Sequence, residues 1–218
     1  MYNLPDSTLV NRVIPKKVFV DQLGANTRMK DHFTNDIVKV EWLAKLAPST
    51  LNVADGKDVH EISVFQVPIK ADDCPNDIFS FIDSMMPRHT IFILVKGEKA
   101  CLHLNYKERI DGTGKTEKTF RITKTYRSPW VSVSTLNLKV EGLDMDAIYE
   151  TLVRQVAGAQ ITSQSYDLKS DVEKSAEREA LLKQLESLKK KEASEKQPQK
   201  KFALHKEIIE LKNRLDHA

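Results

Sequence analysis

Six residues near the middle of the chain, Asp111-Gly112-Thr113-Gly114-Lys115-Thr116, end in the Gly-Lys-Thr run of a phosphate-binding loop, whose backbone N–H groups wrap phosphates while the lysine pairs with them. The spacing does not fit that chemistry. The glycine needed five residues before the Gly-Lys pair is replaced by Arg109, and no buried strand leads directly in and no helix out, so the run reads as a hairpin turn. The histidines His32, His60, His89, His103, His205 and His217 include no pair at i, i+4 around a glutamate, and no pair of cysteines lies near them, which argues against zinc. A metal-dependent nuclease needs two or three carboxylates and a lysine converging at a strand. Asp55, Glu61 and Lys70, around the strand expected at 59–69, are the candidates, set against the plainer reading of solvated strand-edge charges. No acid stands two residues before a lysine on that strand, and no nucleophile-elbow sequence is present. No catalytic residue, metal or cofactor is therefore assigned.

The segment from Lys96 to Trp130 carries a different signal. Its nine basic residues, including Lys107, Arg109, Lys115, Lys118, Arg121, Lys124 and Arg127, face only four acids, a local excess larger than the +3 of the whole chain. Tyr106, Phe120, Tyr126 and Trp130 lie among them. Basic side chains neutralise phosphates and aromatic rings stack on bases, so this is the candidate nucleic-acid surface. Arg121 and Lys124 fall on opposite faces of an ideal strand, so the set cannot all share one surface, and a solvated strand pair with its aromatics in the core is the competing reading.

These residues have to be positioned by strands and helices that the pattern announces. Glu61 to Val67 alternates and is rich in β-branched residues, with Pro68 closing the ladder. Asp73, Pro75 and Asn76 resemble a helix entry, followed by Ile78, Phe79, Ile82 and Met86 at helical spacing and by Pro87 as a stop. Thr90 to Val95 is almost wholly apolar, as a strand buried on both faces would be, and Lys96-Gly97-Glu98 turns the chain into Ala100 to Tyr106. A further strand is expected at 119–126. The helix between the first two strands implies a parallel crossover, and the remaining pairings should be antiparallel. Asp144 caps a helix running from Met145 to about Val156, which Gly158 ends. Nearer the N-terminus, Pro15, Val18, Phe19, Leu23 and Gly24 suggest a short helix, 27–33 a second helical piece, and 37–46 strand-like material.

From about Asp171 the composition changes. Glycine and aromatic residues nearly vanish, and apolar residues fall at helical spacing on both sides of Pro198: Leu181, Leu185 and Leu188 before it, and Leu204, Ile208, Leu211 and Leu215 after it. These seven are the candidate docking residues. Twelve Lys or Arg against ten Asp or Glu favour a salt-bridge-laced helical pair over a polybasic arm. Arms of roughly 17 to 20 residues are marginal alone, so they must pair with each other, with the rest of the chain, or with another chain. Folding back to complete the core and docking a partner are both open.

The full length of 218 residues suits one domain plus an appendage, and 40% apolar with 30% charged residues is the balance of a soluble globular protein. No run approaches the roughly 18 apolar residues of a membrane span, and no basic-then-apolar leader opens the chain, so the expected location is the cytoplasm, with Cys74 and Cys101 as plain thiols.

Several segments, in order, resemble an uncharacterised bacterial family known as domain of unknown function 4391. They are Glu41-Trp42-Leu43-Ala44-Lys45-Leu46-Ala47-Pro48-Ser49-Thr50-Leu51-Asn52, then Glu61 to Val67, then Pro87-Arg88-His89-Thr90-Ile91-Phe92. The likeness continues through Tyr126-Arg127-Ser128-Pro129-Trp130 and Asp146-Ala147-Ile148-Tyr149 to Arg154-Gln155, followed by a charged helical tail. The resemblance implies companions of helicases and DNA methyltransferases in restriction-modification or phage-defence loci, with no catalytic residues to carry over. Lys45, Asn52, Arg127 and Arg154 are the polar members of these segments that invite mutation, and each also has a structural reading as a brace or cap.

The expected architecture is α+β: a mixed β-sheet with flanking helices over 1–158, a polar linker over 159–170, and a C-terminal antiparallel helical hairpin, coiled-coil-like, over 171–218. The expected function is a non-enzymatic accessory or adaptor subunit of a bacterial DNA-processing system. It would contact a helicase or methyltransferase, or form a homo-oligomer, through the C-terminal helices, with DNA as a further contact of the sheet and no membrane. A divergent metal-dependent nuclease is the alternative.

Overall fold

The computed structural model describes residues 2–217 other than 23, 25, 71–73, 85, 111–119 and 162–166. Leu23, Asp73, the Asp111–Thr116 turn, Lys115, Lys118 and the middle of the polar linker lie outside the described residues. In chain order the elements are β1 (Leu9–Ile14), α1 (Thr27–Asn35), β2 (Val40–Leu46), α2 (Pro48–Leu51), β3 (Ile62–Pro68), α3 (Asn76–Ser84), β4 (His89–Lys96), β5 (Lys99–Arg109), β6 (Phe120–Arg127), β7 (Val131–Ser132), α4 (Met145–Ala157), α5 (Leu168–Ser194) and α6 (Pro198–His217). The chain divides into two compact units, Met1–Gly158 and Ala159–Ala218.

The first unit is a mixed sheet in the order β1-β2-β3-β4-β5-β6, with β7 paired to the start of β5. β3 and β4 are its centre. Both are runs of β-branched and aromatic residues, and they pair in parallel from Ile62 opposite His89 to Pro68 opposite Val95. A parallel pair cannot be closed by a tight turn, and α3 supplies the crossover. Every other pairing is antiparallel. The fold is thus the mixed sheet with flanking helices that the pattern implies, with two strands the pattern did not announce: the two-residue β7, and β1, at the edge, mostly exposed and interrupted by a register shift between Leu9 and Arg12.

Side chains alternate across the central strands. Phe92 and Leu94 enter an apolar layer with Phe65, Val67 and Cys101 of the sheet, Ile78, Phe79 and Ile82 of α3, and Phe33 of α1. Ile91 and Ile93 are equally buried and point to the opposite face. There α4 buries Met145, Ile148, Leu152 and Val156, and its Tyr149 ring lies beside Tyr106 of β5. Burying each such side chain contributes about 1.5 to 3 kcal/mol relative to leaving it in water. Local chemistry sets the helix starts: Asn26 accepts the Met29 N–H to open α1, and Asp144 accepts the Ala147 N–H to open α4. Gly158, at φ +51°, follows the last residue of α4, where a left-handed conformation suits glycine.

The second unit is the pair α5 and α6. Asp167 caps α5 by accepting the Lys169 N–H, so the helix begins three residues before Asp171, inside the stretch read as linker. At 27 residues it is also longer than the 17 to 20 expected of an arm, and spans about 40 Å. Pro198 sits at the first position of α6, where its missing N–H costs nothing.

Candidate functional site

The polar residues of the first unit converge at one end of the sheet, where β2 ends and β3 and β4 begin. Glu61, just before β3, receives Lys45 Nζ at 3.0 Å and Arg88 Nε at 3.2 Å, so three of the segments that carry the family resemblance meet on one carboxylate. Asp146, in the first turn of α4, accepts backbone N–H bonds from Lys57 at 2.6 Å, Asp58 at 3.2 Å and Val59 at 2.8 Å, and so fixes the loop that leads into Glu61. Gly56 lets that loop close. A Cβ there would lie 2.4 Å from the Val59 carbonyl oxygen and 2.5 Å from Asp146 Oδ1.

Beneath this end lies a wholly buried ion pair. The register of β5 against β6 shifts between Tyr106 and Lys107, with the extra residue in β6, and Lys107 stands two residues after Asn105 and shares its face of β5, the face covered by α3. Its Nζ donates to Asp83 Oδ1 at 2.6 Å and to the Arg88 carbonyl, and both side chains of the pair are fully enclosed. Asn105 Nδ2 donates to Asp83 Oδ2 at 3.0 Å, while Asn105 Oδ1 accepts from Thr125 at 2.7 Å and Ser80 at 3.2 Å. Burial raises the Asp83 pKa and lowers that of Lys107, and each partner opposes the shift in the other. His89, ringed by Phe120 and Tyr149, is held at a pKa of about 3, first by burial and then by the Lys107 charge. His103, fully buried between Phe79 and Phe92, is likewise held at about 3 by burial and then by Arg127, and its ring makes no hydrogen bond of ordinary geometry among the described residues. Both are neutral at pH 7. The Asp83–Lys107–Asn105 cluster, enclosed and hydrogen-bonded within itself, braces this end of the sheet.

The proposed nucleic-acid set therefore separates. Lys107 faces α3, is wholly buried and serves the Asp83 pair. Lys115 and Lys118 lie outside the described residues. Arg109 and Arg121 are exposed at the end of the β5–β6 ladder, with Arg121 Nη2 3.2 Å from Glu108. Lys124 is half-buried. Arg127 points inward, donating to the Cys74 carbonyl at 3.0 Å and lying over the Phe79 ring. Of the aromatics, Tyr126 and Tyr106 are buried, which leaves Phe120 and Trp130 partly accessible.

Asp55, Glu61 and Lys70 have separate partners. Asp55 binds His60 at 3.0 Å, Glu61 binds the two cations above, and Lys70 donates to the Thr34 carbonyl at 3.0 Å. No group of three His, Cys, Asp or Glu able to hold a metal ion occurs among the described residues. Two further residues of the family-like segments are structural: Asn52 takes φ +55° after α2, and Arg154 pairs with Glu150 at 2.7 Å one turn back.

In the second unit the seven stripe residues come together. Leu181, Leu185, Leu188, Ile208, Leu211 and Leu215 are buried in one seam, with Leu204 packed against it. They hold the two helices to each other, and Leu188, Leu204 and Leu211 also border the open side of the pair. Leu182, Phe202 and Ile209 are exposed, and Phe202 and Ile209, seven residues apart on α6, share a face. Ion pairs Glu179–Lys183 and Glu186–Lys190 line α5 one turn apart, and Glu192 of α5 meets His205 of α6 at 2.9 Å. No described helix is long and apolar enough to cross a membrane.

Fold and sites together define an α+β protein whose sheet end is braced by buried charge and which carries a separate leucine-seamed hairpin. The chain belongs to the DUF4391 family, a domain of unknown function, whose model matches residues 2–215. No curated protein and no solved structure matches the chain.

Proposed function

We propose that this chain is a non-enzymatic accessory or adaptor subunit of a bacterial DNA-processing system of the restriction-modification or phage-defence kind. The hairpin docks a helicase or methyltransferase partner, and the exposed basic end of the β5–β6 ladder touches DNA. The observation that carries this reading is the hairpin itself. It is a compact unit with its own seam, yet it leaves Phe202, Ile209 and Leu182 open to water on a helix pair otherwise covered by charge. Arg109 and Arg121, exposed at the end of the β5–β6 ladder and flanking Lys115 and Lys118 in the sequence, support the second contact.

Affinity purification from the native host tests the reading. The full chain should recover a helicase or methyltransferase, and a chain lacking 171–218, shown by circular dichroism to keep its sheet, should not. Equal recovery by both would refute it. For the sheet, affinity for duplex DNA should fall steeply with salt and drop when Arg109 and Arg121 are reversed to Glu. Divalent-metal-dependent DNA cleavage abolished by Glu61→Ala would replace this reading with a nuclease.

A further inference from the structure

The charges of the hairpin are evenly matched in sum but not in position. The 18 residues around the bend, 189–206, carry seven lysines and two glutamates, whereas the rest of 171–218 carries five basic and eight acidic residues. The hairpin is therefore an electrostatic dipole, positive at its bend and negative toward its open end.

A groove runs along one side of the pair. Near the bend, Lys191, Glu195, Lys200, Ala203 and Leu204 enclose about 450 Å³ together with Glu207. Glu207 also borders the next stretch, lined by Leu188, Leu211, Gln184, Glu210 and Arg214. The floor is apolar: Leu204, Leu188 and Leu211 show the groove the edge of the seam they close. Phe202 and Ile209 project from the opposite face of α6, so the groove and the outer apolar face are two distinct surfaces.

We infer that the groove is occupied by the same groove of a second copy of this chain, the two hairpins lying antiparallel in a four-helix arrangement. A two-fold axis near the Leu188/Leu204 level reverses one hairpin on the other. It sets the bend-side wall, Lys191, Glu195 and Lys200, against the partner's Glu207, Glu210 and Arg214, a net positive wall on a net negative one, twice over. Lys200 and Glu207 lie about 10 Å apart along α6 on either side of Leu204, the placement that an isologous contact through Leu204 needs for each lysine to meet the other chain's glutamate. The whole-hairpin dipoles oppose in the same arrangement. The inference rests on the hairpin being a docking unit, but it assigns the groove to self-association and leaves the Phe202/Ile209 face for the enzyme partner.

Light scattering on the full chain at micromolar concentration should give twice the 24.9 kDa chain mass. Lys191→Glu with Lys200→Glu should give a monomer of unchanged helicity, and adding Glu207→Lys with Glu210→Lys should restore the dimer. A wild-type monomer, or a dimer untouched by the charge reversal, overturns the inference. A persistent dimer whose reversed bend instead loses affinity for a duplex DNA probe assigns the lysines to nucleic acid and also overturns it. The partner-docking reading is judged separately, by whether the monomeric variant still recovers its enzyme.

Discussion

Lys107→Met should cost the first unit about 4 kcal/mol at pH 7, and the cost should shrink as the solution is acidified. The substitution keeps the length of the side chain and removes its charge, leaving Asp83 enclosed with Asn105 as a remaining donor. An unpaired carboxylate in such a place takes up a proton instead of staying ionised. Carrying that proton at pH 7, about three units above the ordinary aspartate pKa, costs about 4 kcal/mol at 1.36 kcal/mol per unit, within the 3 to 5 kcal/mol typical of halving a buried ion pair. For a unit of about 160 residues this is a fall in Tm of about 12 °C. The sign with pH follows from linkage. In the variant Asp83 has a raised folded pKa, so its native state holds a proton the unfolded chain gives up, and the deficit relative to wild type falls by about 1.4 kcal/mol per pH unit from pH 7 toward pH 5. Urea unfolding followed by the fluorescence of Trp42 and Trp130, both in this unit, measures the difference at each pH. Asp83→Asn added to Lys107→Met should recover much of the loss. A deficit below 1 kcal/mol at pH 7, or one that does not change with pH, would refute the buried-charge argument.

His89 and His103, both with folded pKa values of about 3 and unfolded values near 6.5, stay neutral in the native state while the unfolded chain takes up protons, so stability present above pH 6.5 is lost as pH falls toward 3. Together they should remove about 2 kcal/mol between pH 6 and pH 5, and His103→Leu should halve that slope in urea titrations; an unchanged slope would contradict the burial of the ring. Asp146→Ala leaves the backbone donors of Lys57, Asp58 and Val59 without their acceptor and should cost about 2 kcal/mol, with faster amide exchange at those three residues. In the second unit, Leu185→Ala opens a cavity in the seam and should cost about 2 to 3 kcal/mol of hairpin stability in thermal melts followed by helicity, without moving the tryptophan-detected transition of the sheet.

The centre of the fold was legible because local pattern and burial agree there. The β-branched run of β3, the apolar run of β4, the apolar stripe of α3 and the capped helix α4 each carry their own signal, and the parallel crossover follows from their order. β1 carries none, because an exposed edge strand with a register shift near Asn11, at φ +52°, needs neither alternation nor apolar content. The hairpin stripes were read correctly as stripes, but spacing alone does not say what covers them, and each turned out to cover the other. Lys107 was misplaced for a different reason. Alternation puts Lys107 on the face of Cys101, His103 and Asn105, but the strand alone does not say that α3 covers that face as far as Lys107, and its partner Asp83 is 24 residues away. One sign was available: Asp83 follows Ile82 and stands four residues after Phe79, on the apolar side of α3, where a lone acid must find a buried cation.

The most direct test of the adaptor reading is amide exchange of the full chain with and without the helicase or methyltransferase it recovers from its host. The account predicts slowed exchange in α5 and α6, strongest from Phe202 to Ile209, with the β3–β4 core unchanged. Protection confined to the first unit, with the hairpin amides exchanging as freely as before, would contradict it.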